Sequence, residues 1–192
     1  PKLKTLFDDM YADFQKPIFF ALGNHEYGDS KELGSIDALL AHGAANESDE
    51  GFTFPARYYS FDVAFTDKRA DFFILDTHVL ASDPAQRAWI KAELKASTAD
   101  FKIVVGHQPV HSGGLHGDHP HLDETLLPLL DAYADIYVSG HEHDQQLLLT
   151  DRGTPQLISG SAGESRDTNA IDRTVFSTAA KGDDFGATLT SI

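Results

Sequence analysis

Three segments of this chain repeat one arrangement: an apolar run, a glycine, then a side chain able to bind a metal. They are Gly23-Asn24-His25-Glu26, Gly106-His107 and Gly140-His141-Glu142-His143. Neutral imidazole is the commonest protein ligand for zinc, iron and related metals. An Asn carbonyl oxygen is a harder, neutral ligand that suits a divalent ion. His141 and His143 stand two apart, so in an extended segment they share a face, and in a turn they can straddle two metals. Two ions about 3.5–4 Å apart can clamp a phosphate and activate a water as nucleophile. A single Gly-His is more often an ordinary loop histidine than a ligand. Three in one chain, one of them a His-x-His, make a joint signal. A glycine ahead of each ligand lets the backbone turn sharply and approach the site closely.

The bulk numbers narrow the setting. A length of 192 residues fits one domain, 1–192. Hydrophobic residues make up 41% and charged residues 23%, enough apolar side chain for a buried core and too little charge for disorder. No apolar run reaches about 18 residues, so no membrane span is expected. The formal net charge of -15 repels a polyanion, which argues against nucleic acid as partner. A small phosphorylated substrate stays compatible where a local cation overrides the global field. The absence of cysteine removes disulfides, thiolate zinc sites and cysteine nucleophiles together.

The elements that must position these residues mix helices with buried strands. Leu3, Leu6, Phe7, Met10 and Phe14 follow helical spacing, which predicts a helix over Leu3 to Phe14. Ile18 to Leu22 reads as a buried strand ending at Gly23. Ser30 can cap a helix running to about His42. Tyr58 to Phe65 and Phe72 to Leu75 suggest neighbouring strands. Asp83-Pro84 opens a helix whose inner face carries Trp89, Ile90 and Leu94. Ile103 to Val105 is a strand, Gln108 to His121 a loop, and Leu122 to Tyr133 a helix despite Pro128. Strands follow at Ile136 to Val138, Gln145 to Thr150 and Gln156 to Ser159, the last two joined by an Asp151-Arg152-Gly153 turn. The fold class is therefore α/β, or a layered α+β sandwich. In open sheets of this kind ligands bind beyond the carboxyl ends of the strands, where the Gly-His segments fall.

These segments resemble the calcineurin-like metallophosphoesterases, and within them the tartrate-resistant, or purple, acid phosphatases. The resemblance spans nearly the whole chain. Ala21 to Glu26 is similar to the family's Gly-Asn-His-Asp/Glu motif, Val104 to Val110 to its Val-x-x-His segment, and Gly140 to Asp144 to its Gly-His-x-His segment. Pro55 to Tyr59, Ile74 to Thr77 and Ile158 to Gly163 also occur in similar places.

The resemblance implies hydrolysis of phosphate monoesters at a dinuclear centre, iron paired with zinc, iron or manganese. Asn24, His107 and His141 would ligate the divalent ion and His143 the other. His25 and His116 would contact the phosphoryl group, and one of them would protonate the leaving alkoxide. His111, His119 and His121 compete with His116 for its role and are read as solvated loop histidines. The family's Asp-x-Gly and Gly-Asp-x-x-Tyr motifs are not among the 22 residues ahead of Gly23. From this we expect a chain cut at its start, with partial metal occupancy and weak or no activity. Gly186 to Ile192 reads as a strand that stops in mid-course, so we expect the same of the other end. By resemblance the protein would be secreted or periplasmic. A phosphodiesterase of the same superfamily and a non-catalytic module with a partial metal site are the alternatives.

Overall fold

Two-residue periodicity governs the centre of the molecule, because successive side chains of a strand point to opposite faces. The computed structural model describes residues 4–14, 16–28, 36–45, 51–169, 171 and 173–177. Among these, β1 (Pro17–Phe19) and β2 (Gly51–Thr53) form a parallel pair. The other strands make one seven-stranded sheet: β3 (Tyr59–Phe65), β4 (Lys68–Ile74), β5 (Phe101–Val105), β6 (Ile136–Ser139), β7 (Gln145–Leu149), β8 (Pro155–Ser159) and β9 (Thr174–Ser177). Their order is β3-β4-β5-β6-β8-β7-β9. Neighbours from β4 through β5 and β6 to β8 are parallel, so their carboxyl ends share one rim.

Each face of the large sheet has its own core. Phe73, Val104 and Tyr137 pack with Ile90 and Leu94 of α2 (Pro84–Ala96) and with Leu122 and Leu130 of α3 (Pro120–Thr125) and α4 (Leu127–Tyr133). The next residues along, Ile74 and Val105, join the opposite cluster with Leu22, Phe52, Phe54 and the apolar side of α1 (Ile36–Ala45). Helices on both faces of a mixed sheet with a parallel centre agree with the α/β reading. Among the described residues no helix is long and apolar enough to cross a membrane.

Several expected elements take a different form. The helix over Leu3 to Phe14 is a single π-helical turn at Lys4–Asp8 followed by looser turns. Of its apolar side chains Phe7 reaches the core, against Phe20 and Phe52, while Met10 and Phe14 stay exposed. Without a buried stripe an isolated short helix has little to hold it. The strand expected through Leu22 ends at Phe19, because the Tyr59 hydroxyl takes over at Phe20: it accepts from Phe20 N at 3.0 Å and donates to Phe20 O at 2.9 Å. It also lies in the small sheet, outside the seven strands. The helix predicted over Leu122 to Tyr133 is broken at Leu126, since Pro128 has no N–H to continue the ladder and sits instead in the first turn of α4. The helix predicted from Ser30 begins at Ile36 among the described residues; Ser30 itself and Gly186 to Ile192 lie outside them.

α2 is built as its sequence indicates. The Asp83 carboxylate accepts from Gln86 N at 3.0 Å, and Pro84 stands in the first turn. Gln86 is fully buried and ties the helix to the end of β4: it accepts from Asp76 N at 2.9 Å and donates to Asp76 O at 3.1 Å. Asp83→Ala removes the cap alone and is expected to lower stability by about 1 kcal/mol. In urea unfolding this would read as a lower midpoint with an unchanged slope; an unmoved midpoint would show that the cap contributes nothing.

Candidate metal centre

β5 and β6 run side by side, so the residues just past their ends, His107 and His141, emerge together. The Gly140 N–H donates to His107 O at 3.0 Å and holds the two exits in register. The third donor comes from the 3-10 turn Asn24–Tyr27. Asn24 Oδ1 lies 2.8 Å from His107 Nε2, and His141 Nδ1 lies 3.1 Å from the same nitrogen. A neutral His107 has at most one proton on Nε2, and it cannot serve both neighbours well. Two further ligand atoms at such distances from His107 Nε2 fit the spacing around a cation instead: with bonds of about 2.1 Å, adjacent ligand atoms sit about 3 Å apart.

Two of the three motif glycines, Gly23 and Gly106, do what close packing requires, which is not quite the expected role. A Cβ on Gly23 would stand 2.9 Å from three atoms of the His107 ring, and one on Gly106 would meet Thr77 Cγ2 at 2.4 Å and the Tyr137 hydroxyl at 2.6 Å. The sharp turn is made by His141 itself, at φ 68°. Left-handed backbone is rare for a residue with a Cβ, although His tolerates it better than most, and such strain gathers at functional sites.

Burial sets the electrostatics. It drives His107 down to about 3, with the neighbouring His141 and His25 adding to the effect. It drives His141 down to about 4, helped by His116 and His119. Both rings are thus neutral at ordinary pH, with lone pairs available for a metal.

All six residues singled out in the sequence border one cavity of about 300 Å³: Asn24, His25, His107, His116, His141 and His143. His25 is exposed. The His116 ring lies 4.3 Å from that of His141, centroid to centroid. It is held by Glu142, whose carboxylate accepts from His116 N at 3.0 Å and lies 3.1 Å from Nδ1. Glu142 is only 1% exposed, and Gly114 makes room for it. His143 stands apart from the three converging donors. Its Nδ1 is 3.0 Å from Glu164 Oε2, a close ion-pair contact without hydrogen-bond alignment.

The turn that carries Asn24 and His25 is braced twice. Glu26 accepts from Gly23 N at 2.8 Å. Tyr27 donates to the buried Asp76 at 2.5 Å, and Arg57 grips the same carboxylate oxygen at 2.8 and 3.1 Å. Burial, then the Asp76 contact, pushes the Tyr27 phenol well above its usual range, so it remains a donor.

Two of the three histidines expected in solvent are not there. His111 is buried, with Asp118 and Asp123 carboxylates each at 3.6 Å. His119 packs edge-on against His141 at 5.2 Å, and burial lowers its proton affinity. His121 is exposed as anticipated. Sequence reasoning also missed the roles of Glu142, Glu164 and Arg166, the last of which borders the cavity. The first was in view as the middle residue of Gly-His-x-His; nothing marked the other two. Among the described residues no three His, Asp or Glu side chains gather as a metal-holding group, so the convergent set is two His and one Asn.

Residues 2–145 match the profile of a family described as calcineurin-like phosphoesterase. Tartrate-resistant acid phosphatase type 5 of Rattus norvegicus is 28% identical over 184 residues, covering 83% of this chain and 54% of that protein. Purple acid phosphatase 17 of Arabidopsis thaliana is 31% identical over 188 residues, covering 85% and 52%. The chain thus spans about half the length of the curated relatives it matches. Among solved structures, GAP50, the anchor in the inner membrane complex of Plasmodium, superposes with a TM-score of 0.80 at 28% identity, over 93% of this chain and 62% of that one.

The buried imidazoles make stability depend on pH. Unfolded, both take a proton near pH 6.5; folded, His107 does so only near 3 and His141 near 4. Over that interval the unfolded chain binds more protons, so stability is complete above about pH 6.5 and falls as the pH drops, by up to about 1.4 kcal/mol per unit for each group. Urea unfolding in chelator is expected to show lower stability at pH 4.5 than at pH 7, with a shallower dependence in His107→Asn. An equally steep profile in that variant would contradict the assignment.

Proposed function

Because the chain belongs to the calcineurin-like phosphoesterase family, we propose that residues 1–192 are part of a single catalytic domain that hydrolyses phosphate monoesters in the complete protein. Asn24, His107 and His141 would hold a divalent ion, and His143 would contribute to a second site. The observation that supports this most is the convergence of Asn24 Oδ1 and His141 Nδ1 on His107 Nε2, at 2.8 and 3.1 Å. When bound, the ions would polarise phosphate oxygens and lower the pKa of a water. Iron with zinc, iron or manganese suits imidazole and amide donors.

The chain's own residues do the remaining work. His25, exposed on the cavity wall, offers its imidazole to the phosphoryl oxygens or to the leaving group. Glu142 takes the Nδ1 side of His116, leaving Nε2 as the edge that exchanges a proton. A cavity of about 300 Å³ is at the small end for ligand sites, which suits a phosphoryl group whose leaving portion stays in solvent. The net charge of -15 keeps polyanions away.

A second reading is a binding module that keeps the pocket without turnover. Two observations favour it. GAP50, the Plasmodium protein of similar fold, is an anchor in the inner membrane complex. No carboxylate borders the cavity among the described residues, so a second ion has His143 and little else to hold it.

The 192-residue chain is expected to bind one ion firmly and a second weakly, with slow turnover of p-nitrophenyl phosphate that chelator abolishes. His25→Ala and His116→Ala are each expected to lower kcat about 100-fold while leaving the tight ion in place by metal analysis. Turnover that survives chelator, or a rate unmoved by both substitutions, would refute the hydrolytic reading. Phosphate binding without turnover would establish the module.

A further inference from the structure

We propose that Arg166 is an anion-binding residue of this pocket: braced by Glu164, its guanidinium holds phosphate oxygens and supplies affinity that needs no metal ion. The proposal rests on the reading that the pocket receives a phosphoryl group.

Position comes first. Arg166 borders the same cavity as Asn24, His25 and His143, and its side chain is 30% exposed. Its backbone N–H donates to His143 O at 2.7 Å, which pins the residue to the second histidine of Gly-His-x-His. The cavity's other bordering residues are histidine, asparagine and glycine. Arginine is therefore the one among them whose charge does not depend on pH, and its planar fork matches two oxygens of a phosphate.

The ordinary alternative is a surface ion pair between Arg166 and Glu164. Its geometry argues for support instead. Glu164 uses a single oxygen, Oε1, to accept from Nε at 3.2 Å and Nη2 at 3.1 Å, so among the described residues Nη1 keeps its protons uncommitted. The other oxygen lies 3.0 Å from His143 Nδ1, so one carboxylate touches an imidazole and a guanidinium along the same wall. Glu164 is 57% exposed, and a pair so open to water is weak enough for a phosphate dianion to compete. Arg57 shows the contrast: its carboxylate partner Asp76 is fully buried and the pair serves the fold.

The test is calorimetric titration of inorganic phosphate into the full chain, in chelator and again after metal is added. Phosphate is expected to bind in chelator. Arg166→Met is expected to weaken that binding about 10- to 100-fold, the loss typical of a charged hydrogen-bonding group, and Arg166→Lys to recover part of it. Metal affinity should stay unchanged in both. In the unsubstituted protein, phosphate should shift the Arg166 Nε–H resonance, a readout that does not depend on how the variants fold. Equal phosphate affinity with and without Arg166, no binding in chelator, or an unmoved resonance would each overturn the proposal. Turnover with an unchanged KM in Arg166→Met would remove this role and leave hydrolysis standing; phosphate binding without turnover would do the reverse.

Discussion

Everything at the rim depends on keeping two uncharged donors, Asn24 Oδ1 and His141 Nδ1, within about 3 Å of a third, His107 Nε2. Lone pairs brought this close repel, and protonating either imidazole would bury a charge. The fold sustains the arrangement by burial, which drives the proton affinity of both rings down, and by rigid delivery. Parallel neighbours β5 and β6 fix two of the donors. The third rides on a short turn locked by Glu26 and by the Tyr27–Asp76–Arg57 cluster. Asp76 joins that cluster to α2 through Gln86, so the packing of the sheet's helical layer is coupled to the placement of Asn24. A loss at Asp76 would reach the site without touching it.

Carboxylates form a second tier. Glu142 stands behind His116 and Glu164 behind His143, and neither borders the cavity. The Glu142 contact selects which ring nitrogen of His116 carries the proton and which is left for a metal or substrate. Keeping the negative groups one layer back also leaves the cavity wall neutral or positive in a chain whose formal net charge is -15. A phosphate approaching this pocket therefore meets imidazoles, an amide and the Arg166 guanidinium before any carboxylate.

Much of this was legible in the sequence, for identifiable reasons. The strands before Gly106 and Gly140 are short apolar runs with no alternative, and Asp83-Pro84 is a strong helix start; each formed where expected. His107 and His141 meet because the parallel strands before them end at one rim, while Asn24 and His25 arrive on a turn from outside that sheet and His116 on the loop after His107. What failed was what depends on tertiary contact. The apolar spacing near Phe7 makes a helix only if the stripe is covered, and Met10 and Phe14 are not. The Pro128 break follows a local rule that the periodicity of Leu122 to Tyr133 masked. His111 and His119 looked like loop residues, yet the loop folds inward and buries one and half-buries the other. Arg166 follows the Gly-His-x-His segment by too many residues for any spacing to link them; only Arg166 N to His143 O reveals the connection.

The resemblance in fold cannot by itself separate an enzyme from a binding module, because both share this sheet and its rim. The difference lies in which interactions strengthen as charge moves on the phosphoryl group. In the proposed roles, metal ligands and a proton-exchanging His116 would serve a changing charge, whereas a guanidinium at the wall would hold the bound phosphate at any stage. The pocket contains side chains of both kinds, and they sit on different segments: Asn24, His107 and His141 at strand ends and a braced turn, Arg166 on the stretch after β8. On the proposed reading, binding and chemistry would be carried by separable parts of the chain, and a lineage with this fold could lose the second while retaining the first.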